Sequence, residues 1–290
     1  MQSIKEAVMA RVFFVCACAS VFAILLICVF LFVGGLPAVF EIGPVEFLFG
    51  QEWAPMNRPP SFGILPMIAG SIYITVGAIV IGVPVGIFTA VFLAHMCPRR
   101  LYVVLKPVIN LLAGIPSVVY GFFGMMAIVP VVRNISMIFT GGGTGASLLS
   151  ASVLLGIMIL PTVIGISESA IRAIPEEFYE GALALGASHT RSIFFVVLPA
   201  AKSGVLASVI LGIGRAVGET MAVVMVAGNQ ARIPVSIFRG GRSLTANIVL
   251  EMAYAAELHR EALIATGVVL FLFILIINII FSKLARGGIK

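Results

Sequence analysis

The sequence predicts an all-α polytopic membrane protein with six transmembrane helices. Three observations predict it. First, 61% of the 290 residues are hydrophobic and only 10% are charged, with a mean hydropathy of +1.18. An ordinary soluble domain carries roughly 25% charged residues. Second, six apolar runs, near residues 12–34, 65–94, 107–132, 149–167, 203–227 and 263–283, reach the roughly 20 residues that a helix needs to cross a bilayer. Third, a polar, helix-prone insert, residues 176–199, separates the fourth run from the fifth. Lipid offers the backbone no hydrogen-bond partners, and closed barrels read as weak alternating segments, so runs of this kind are helices.

The first run follows Lys5 and Arg11 and contains Ala17-Cys18-Ala19, a triplet like a signal-peptidase site. The triplet sits inside an apolar run that continues to about Val33, beyond the ~7–15 residues of a secretory core. An uncleaved span is expected. In the segment 35–64, Pro44, Glu46 and Gly50 predict one short helix, with proline at its first position, acid in its first turn and glycine at its end. Its phenylalanines and Trp53 suit a membrane interface.

Glycine and proline punctuate the next spans: Gly77, Gly82, Pro84 and Gly86; Gly114, Pro116, Gly121 and Gly124; Gly156, Pro161 and Gly165. Small residues allow close helix packing, and proline breaks leave backbone groups for neighbours or water to satisfy. Tight packing and flexing around a pathway are both open readings. Gly141-Gly-Gly-Thr-Gly145 is read as an outer turn, because no strand or helix pattern frames it as an anion cradle.

The insert has its own logic. Pro175 opens a helix, and Glu176 and Glu177 suit the positive end of its dipole. The helix is expected to stop at Gly186. Phe178, Ala182 and Leu185 fall on one face, Ser188 caps a second short helix, and Leu198-Pro199 closes it. The small residues Gly181, Ala182 and Gly186 permit a partner to approach closely, which favours a helix that docks into a groove over a solvated loop with a helix lying on the membrane.

The fifth run carries Gly212-Ile-Gly-Arg215-Ala-Val-Gly-Glu219-Thr-Met. Arg215 and Glu219 are four apart and are expected to share a helix face. Each costs on the order of 2.5–3.5 kcal/mol at a helix centre, which favours a translocation path or gate over a structural ion pair. Gly214 and Gly218 make a small-xxx-small pattern beside them. Glu168, at the end of the fourth run, is expected to reach water. His95, His189 and His259 lie far apart in sequence and suggest no shared metal.

Charge fixes the expected orientation. With the N-terminus inside, inner segments carry 11 Lys and Arg (residues 5, 11, 99, 100, 106, 172, 191, 202, 283, 286 and 290) and outer segments carry 6. That bias predicts both termini in the cytoplasm. The net charge of +6 is thus a topology signal, since no basic cluster lies on a soluble face and nucleic acid is not an expected partner. Cys16, Cys18, Cys28 and Cys97 form no disulfide framework. The chain has no aspartate and no GxxxxGK[ST] loop, so hydrolysis of ATP by the P-loop mechanism is not expected of it.

Glu180-Gly181-Ala182 followed by Gly186 and Leu198-Pro199 resembles the EAA signature of ABC-importer permease subunits. Glu180, Ala182, Gly186 and Pro199 match it; Gly181 stands where the consensus has alanine. GIGRAVGETMAV (212–223) and Gly114-Ile-Pro-Ser-Val-Val-Tyr-Gly121 resemble the PstC-type permeases of phosphate-specific ABC importers, as does the plan of nearly the whole chain. The resemblance implies a type I ABC permease (MetI-like) fold, a single permease domain over residues 1–290, and a cytoplasmic coupling segment over 168–202. It implies a bacterial or archaeal inner membrane, a PstA-type permease partner, two PstB-type ATPase subunits and an external PstS-type phosphate-binding protein. It makes Glu180, Gly181, Ala182, Gly186 and Pro199 the ATPase-coupling residues and Arg215 and Glu219 the pathway residues. No cofactor is expected on this chain, with ATP and Mg²⁺ used by the ATPase partners. A permease for molybdate or sulfate, a secondary anion carrier and a membrane scaffold are the competing readings.

Overall fold

The computed structural model describes residues 2–287. α1 (Gln2–Ile42) leads to the short α2 (Pro44–Phe49) and to an antiparallel hairpin of β1 (Trp53–Ala54) and β2 (Ser61–Phe62), with Trp53 opposite Phe62. α3 (Leu65–Val91) runs into a π-helical turn, Phe92–Met96. α4 (Arg99–Gly114) and α5 (Ser117–Phe123) follow, and a second π turn, Gly124–Ile128, joins α5 to α6 (Val129–Thr140). After α7 (Leu148–Arg172) come α8 (Glu176–Ala184), α9 (His189–Ser192), a third π turn (Ile193–Val197) and α10 (Leu198–Ala200). The chain ends with α11 (Lys202–Gly218), α12 (Met221–Val226), α13 (Leu244–Glu251) and α14 (Glu257–Gly287).

Five stretches among the described residues are long and apolar enough to cross a membrane: Val8–Ile42, Leu65–Met96, Ser117–Phe139, Leu148–Arg172 and Glu257–Ile280. A sixth results when His189–Ala200 and Lys202–Gly218, bent by 71°, count as one. This is a multi-pass membrane protein. Lys290, one of the charges used to orient the chain, lies outside the described residues.

Two of the apolar runs are not continuous helices. The run near 107–132 is cut at Ile115 and Pro116, both extended (ψ 126° and 143°). Proline disfavours helical backbone in the residue before it. The part before the cut belongs to α4, which starts at Arg99 and bears Arg99, Arg100 and Lys106; the span itself begins at Ser117. The run near 203–227 is cut at Glu219, as described below.

α7 is the most enclosed span, and α3 packs along it through residues without bulk. A methyl group added at Gly77 would meet Ser152, one at Gly82 would lie 2.5 Å from the Gly156 carbonyl oxygen, and one at Gly86 would meet Val163. For these positions close packing is the reading that holds. Leu154, Leu155, Met158 and Ile159 of α7 fill the core with Ile74, Ala78, Tyr120 and Val223. α1 touches the body along α14, where Gly35 lies against the backbone of Ala265; Phe13, Phe14 and Phe22 are exposed, as on a helix bathed in lipid.

The end of the bundle opposite the insert is knotted around Glu251. Its carboxylate accepts from Arg242 Nη1 (2.6 Å) and Trp53 Nε1 (2.8 Å), and His259 Nε2 lies 2.9 Å away. This ties the hairpin, α13 and α14 into one cap.

Candidate functional site: a projecting insert and a broken span

The insert folds as its residues dictate. Pro175 (ψ 138°) precedes the first turn of α8, which carries Glu176 and Glu177. At the other end Gly186 takes φ +88°; its N–H bonds to the Leu183 carbonyl (2.9 Å), and the Ala187 N–H reaches the Ala182 carbonyl (3.1 Å). This pair of bonds is the Schellman turn, which a left-handed glycine makes cheap. Ser188 then caps α9 by accepting from the Arg191 N–H. Pro199 sits in α10 beside the 71° bend and is exposed.

One side of α8 is tied down and the other is free. The Tyr179 hydroxyl lies 2.5 Å from His189 Nδ1, and its ring stacks on His95 at 5.5 Å. Two of the three histidines that the sequence keeps apart therefore meet the same tyrosine. On the outward side Phe178 is 52% exposed and Leu185 92% exposed. A methyl group added at Gly181, between them, would have no neighbour within 4 Å; Glu180 is exposed and Ala182 is half-buried. An apolar ridge with a flat centre thus projects from the end of the bundle.

Arg215 and Glu219 do not share a helix face, contrary to the expectation from their spacing. α11 ends at Gly218, and Glu219 is extended (ψ 129°). The Glu219 carboxylate turns forward and accepts the N–H groups of Thr220 (3.1 Å) and Ala222 (3.3 Å). Glycine is a poor helix former, and the free N–H groups that open α12 attract a carboxylate; together they end α11 one residue early. The Glu219 carbonyl accepts from the Thr245 hydroxyl (3.2 Å), which holds the break to α13.

Arg215 is left without a salt bridge or hydrogen bond among the described residues, in the last turn of α11. At the other break the Tyr120 hydroxyl donates to the Leu112 carbonyl (2.8 Å). The two interrupted spans also touch directly, because Gly121 of α5 lies against Ala222 and Met225 of α12. A free cation thus stands beside two adjoining breaks. Gly214 and Gly218 face open space, so their small-residue face is unfilled among the described residues.

Glu168 departs most from its expected place. It is 2% exposed rather than in water, and three groups converge on it: Lys106 Nζ (2.6 Å), Arg172 Nε (3.0 Å) and the Tyr102 hydroxyl (2.8 Å). Arg172 also donates to the Leu93 carbonyl (2.7 Å) and covers the Tyr102 ring. The Tyr102 phenol is held above its ordinary pKa, chiefly because its O–H donates to Glu168. A signal is present in the sequence: Tyr102 and Lys106 are four apart, as are Glu168 and Arg172, and such pairs share faces.

Comparison with known proteins gives the family and the fold. Residues 82–287 match the family described as binding-protein-dependent transport system inner membrane component. The chain belongs to this family. A probable ABC transporter permease of Bacillus subtilis, YqgH, is 40% identical over 276 residues, covering 92% of this chain and 88% of its own. The phosphate transport system permease protein PstC of Mesorhizobium japonicum is 35% identical over 263 residues, covering 85% of this chain and 80% of its own. Among solved structures, an inward-facing MetNI methionine ABC transporter chain aligns with TM-score 0.57 at 21% identity, over 79% of this chain and 95% of that one. A chain of a bacterial alginate ABC importer aligns with the same score at 15% identity, over 93% and 96%. These two likenesses establish the MetI-like permease fold. The PstC-type resemblance seen in residues 212–223 therefore extends over most of the permease.

Proposed function

We propose that this permease forms half of the membrane path of an ATP-driven phosphate importer. The observation that carries the reading is the unpaired Arg215 beside two abutting helix breaks. A cation within a span is costly unless it meets a counter-ion, and a passing oxyanion supplies one. Relatives named as phosphate permeases favour phosphate over molybdate or sulfate, and kinship with ABC permeases argues against a secondary carrier or a scaffold.

In this reading the second half of the path is a PstA-type subunit seated on the open Gly214–Gly218 face. The ridge of α8, with Glu180, Gly181, Ala182 and Gly186, docks on an ATPase subunit in the cytoplasm, and Pro199 sets the angle at which the insert returns to the membrane. Two ATPase copies bind and hydrolyse ATP with Mg²⁺, so this chain carries no cofactor. An external binding protein delivers phosphate to the Glu251 cap. Both termini are cytoplasmic. Closure of the ATPase pair on ATP moves the insert and opens the path outward, and hydrolysis resets it.

The test is Arg215→Ala in the assembled complex. Phosphate uptake is expected to fall by at least about tenfold, the loss of one charge-assisted contact of roughly 1.5 kcal/mol or more, while the ATPase stays bound. Equal loss of uptake and ATPase binding would make Arg215 a structural residue.

A further inference from the structure

The cluster around Glu168 lies outside both the docking ridge and the Arg215 region, yet it touches the elements that lead to each. On one side, Arg172 is the last residue of α7, and the insert opens at Pro175. Ile171, one residue earlier, is buried against Ile193 and Val197 of the returning chain. On the other side, Lys106 and Tyr102 belong to α4, which ends at Gly114 immediately before the Ile115–Pro116 break. From there the Tyr120 hydroxyl grips the Leu112 carbonyl, and Gly121 lies against α12, two residues beyond Glu219.

The cluster is built as a joint and not as a solvated ion pair. Glu168 is buried, and its two oxygens are shared out: Oε2 to Lys106, Oε1 to Arg172 and Tyr102. A third element is held as well, since Arg172 Nη2 donates to the Leu93 carbonyl in the π turn that follows α3. A buried carboxylate with such partners is costly to strip, whereas exposed pairs are worth little. Short, charge-assisted bonds thus join the α7 terminus to α4.

We propose that Glu168 is a positioning residue that transmits motion of the ATPase-docking insert, through Lys106 and Tyr102, to the α4–α5 break beside Arg215. The inference rests on the reading of the insert as the ATPase dock. It assigns to α4 the role of a lever.

The test is a double variant, Lys106→Met with Tyr102→Phe, in the complete complex in vesicles. Arg172 stays to neutralise Glu168, so α3 and α7 remain tied. The readout is phosphate imported per ATP hydrolysed. We expect the ATPase to stay bound and active and the ratio to fall by at least about fivefold, the lower end of ordinary coupling between sites. Lys106→Arg should restore most of the ratio in the single-site comparison with Lys106→Met, and Tyr102→Phe alone should lower it in the same direction but less. A ratio within about twofold of wild type in the double variant would overturn the proposal, since such a change lies below ordinary coupling. So would uptake and hydrolysis falling together, which marks a structural role. Wild-type uptake indifferent to ATP would overturn the docking reading itself, and this inference with it.

Discussion

Leu185→Ala isolates docking from folding. Leu185 is 92% exposed at the end of α8, so truncation removes almost no packing among the described residues. Full burial of a leucine side chain contributes about 1.5–3 kcal/mol. Nearly all of that remains to be gained when a partner covers the ridge. Alanine keeps one methyl group, so the variant should lose roughly 2 kcal/mol of docking energy. That corresponds to about 30-fold weaker binding of the ATPase subunit. The assay is titration of ATPase subunit onto wild-type and variant permease complexes in lipid nanodiscs, with thermal stability of each complex measured alongside. Gly181→Trp gives an independent check, because the position is open within this chain and a ring there obstructs only a partner. A Leu185→Ala affinity within about threefold of wild type, less than 1 kcal/mol, would refute the reasoning and leave the ridge as a lipid- or solvent-facing surface.

Other expectations follow from the same geometry. Gly186, at φ +88°, should tolerate asparagine, whereas alanine should cost about 1–2 kcal/mol of the α8 terminus and reduce uptake accordingly; Gly186→Trp, which adds bulk to the same strain, should abolish uptake while the protein stays in the membrane. Gly82→Leu would drive a side chain into the Gly156 carbonyl, and overpacking of this kind should destabilise the α3–α7 pair by about 1–3 kcal/mol, read as a lower melting temperature in detergent.

Much of this molecule is legible in its sequence, and the exceptions have physical causes. Membrane-length apolar runs announce helices because lipid leaves no other choice, and the α2 helix, the Gly186 stop and the Ser188 cap follow from local backbone chemistry. Spacing pairs Arg215 with Glu219 only on an unbroken helix. One glycine and one carboxylate with a better use, capping α12, are enough to break it. The third span is shifted from its apolar run because composition does not distinguish α4 from the span that follows Pro116. Glu168 reads as a terminal residue in water; only the fold brings α4 beside it, across 62 residues of sequence to Lys106. Residues 82–287, which include the EAA-like segment, match a family of transport inner membrane components, the membership that its resemblance implied.

The most direct measurement is uptake of labelled phosphate into vesicles containing this permease and its co-purifying subunits, with and without ATP and with sulfate and molybdate as competitors. Uptake that requires ATP and is competed by neither anion is the predicted result. Uptake of a different oxyanion, or none with ATP in a complex shown to be intact, would contradict the assignment of this chain to a phosphate path.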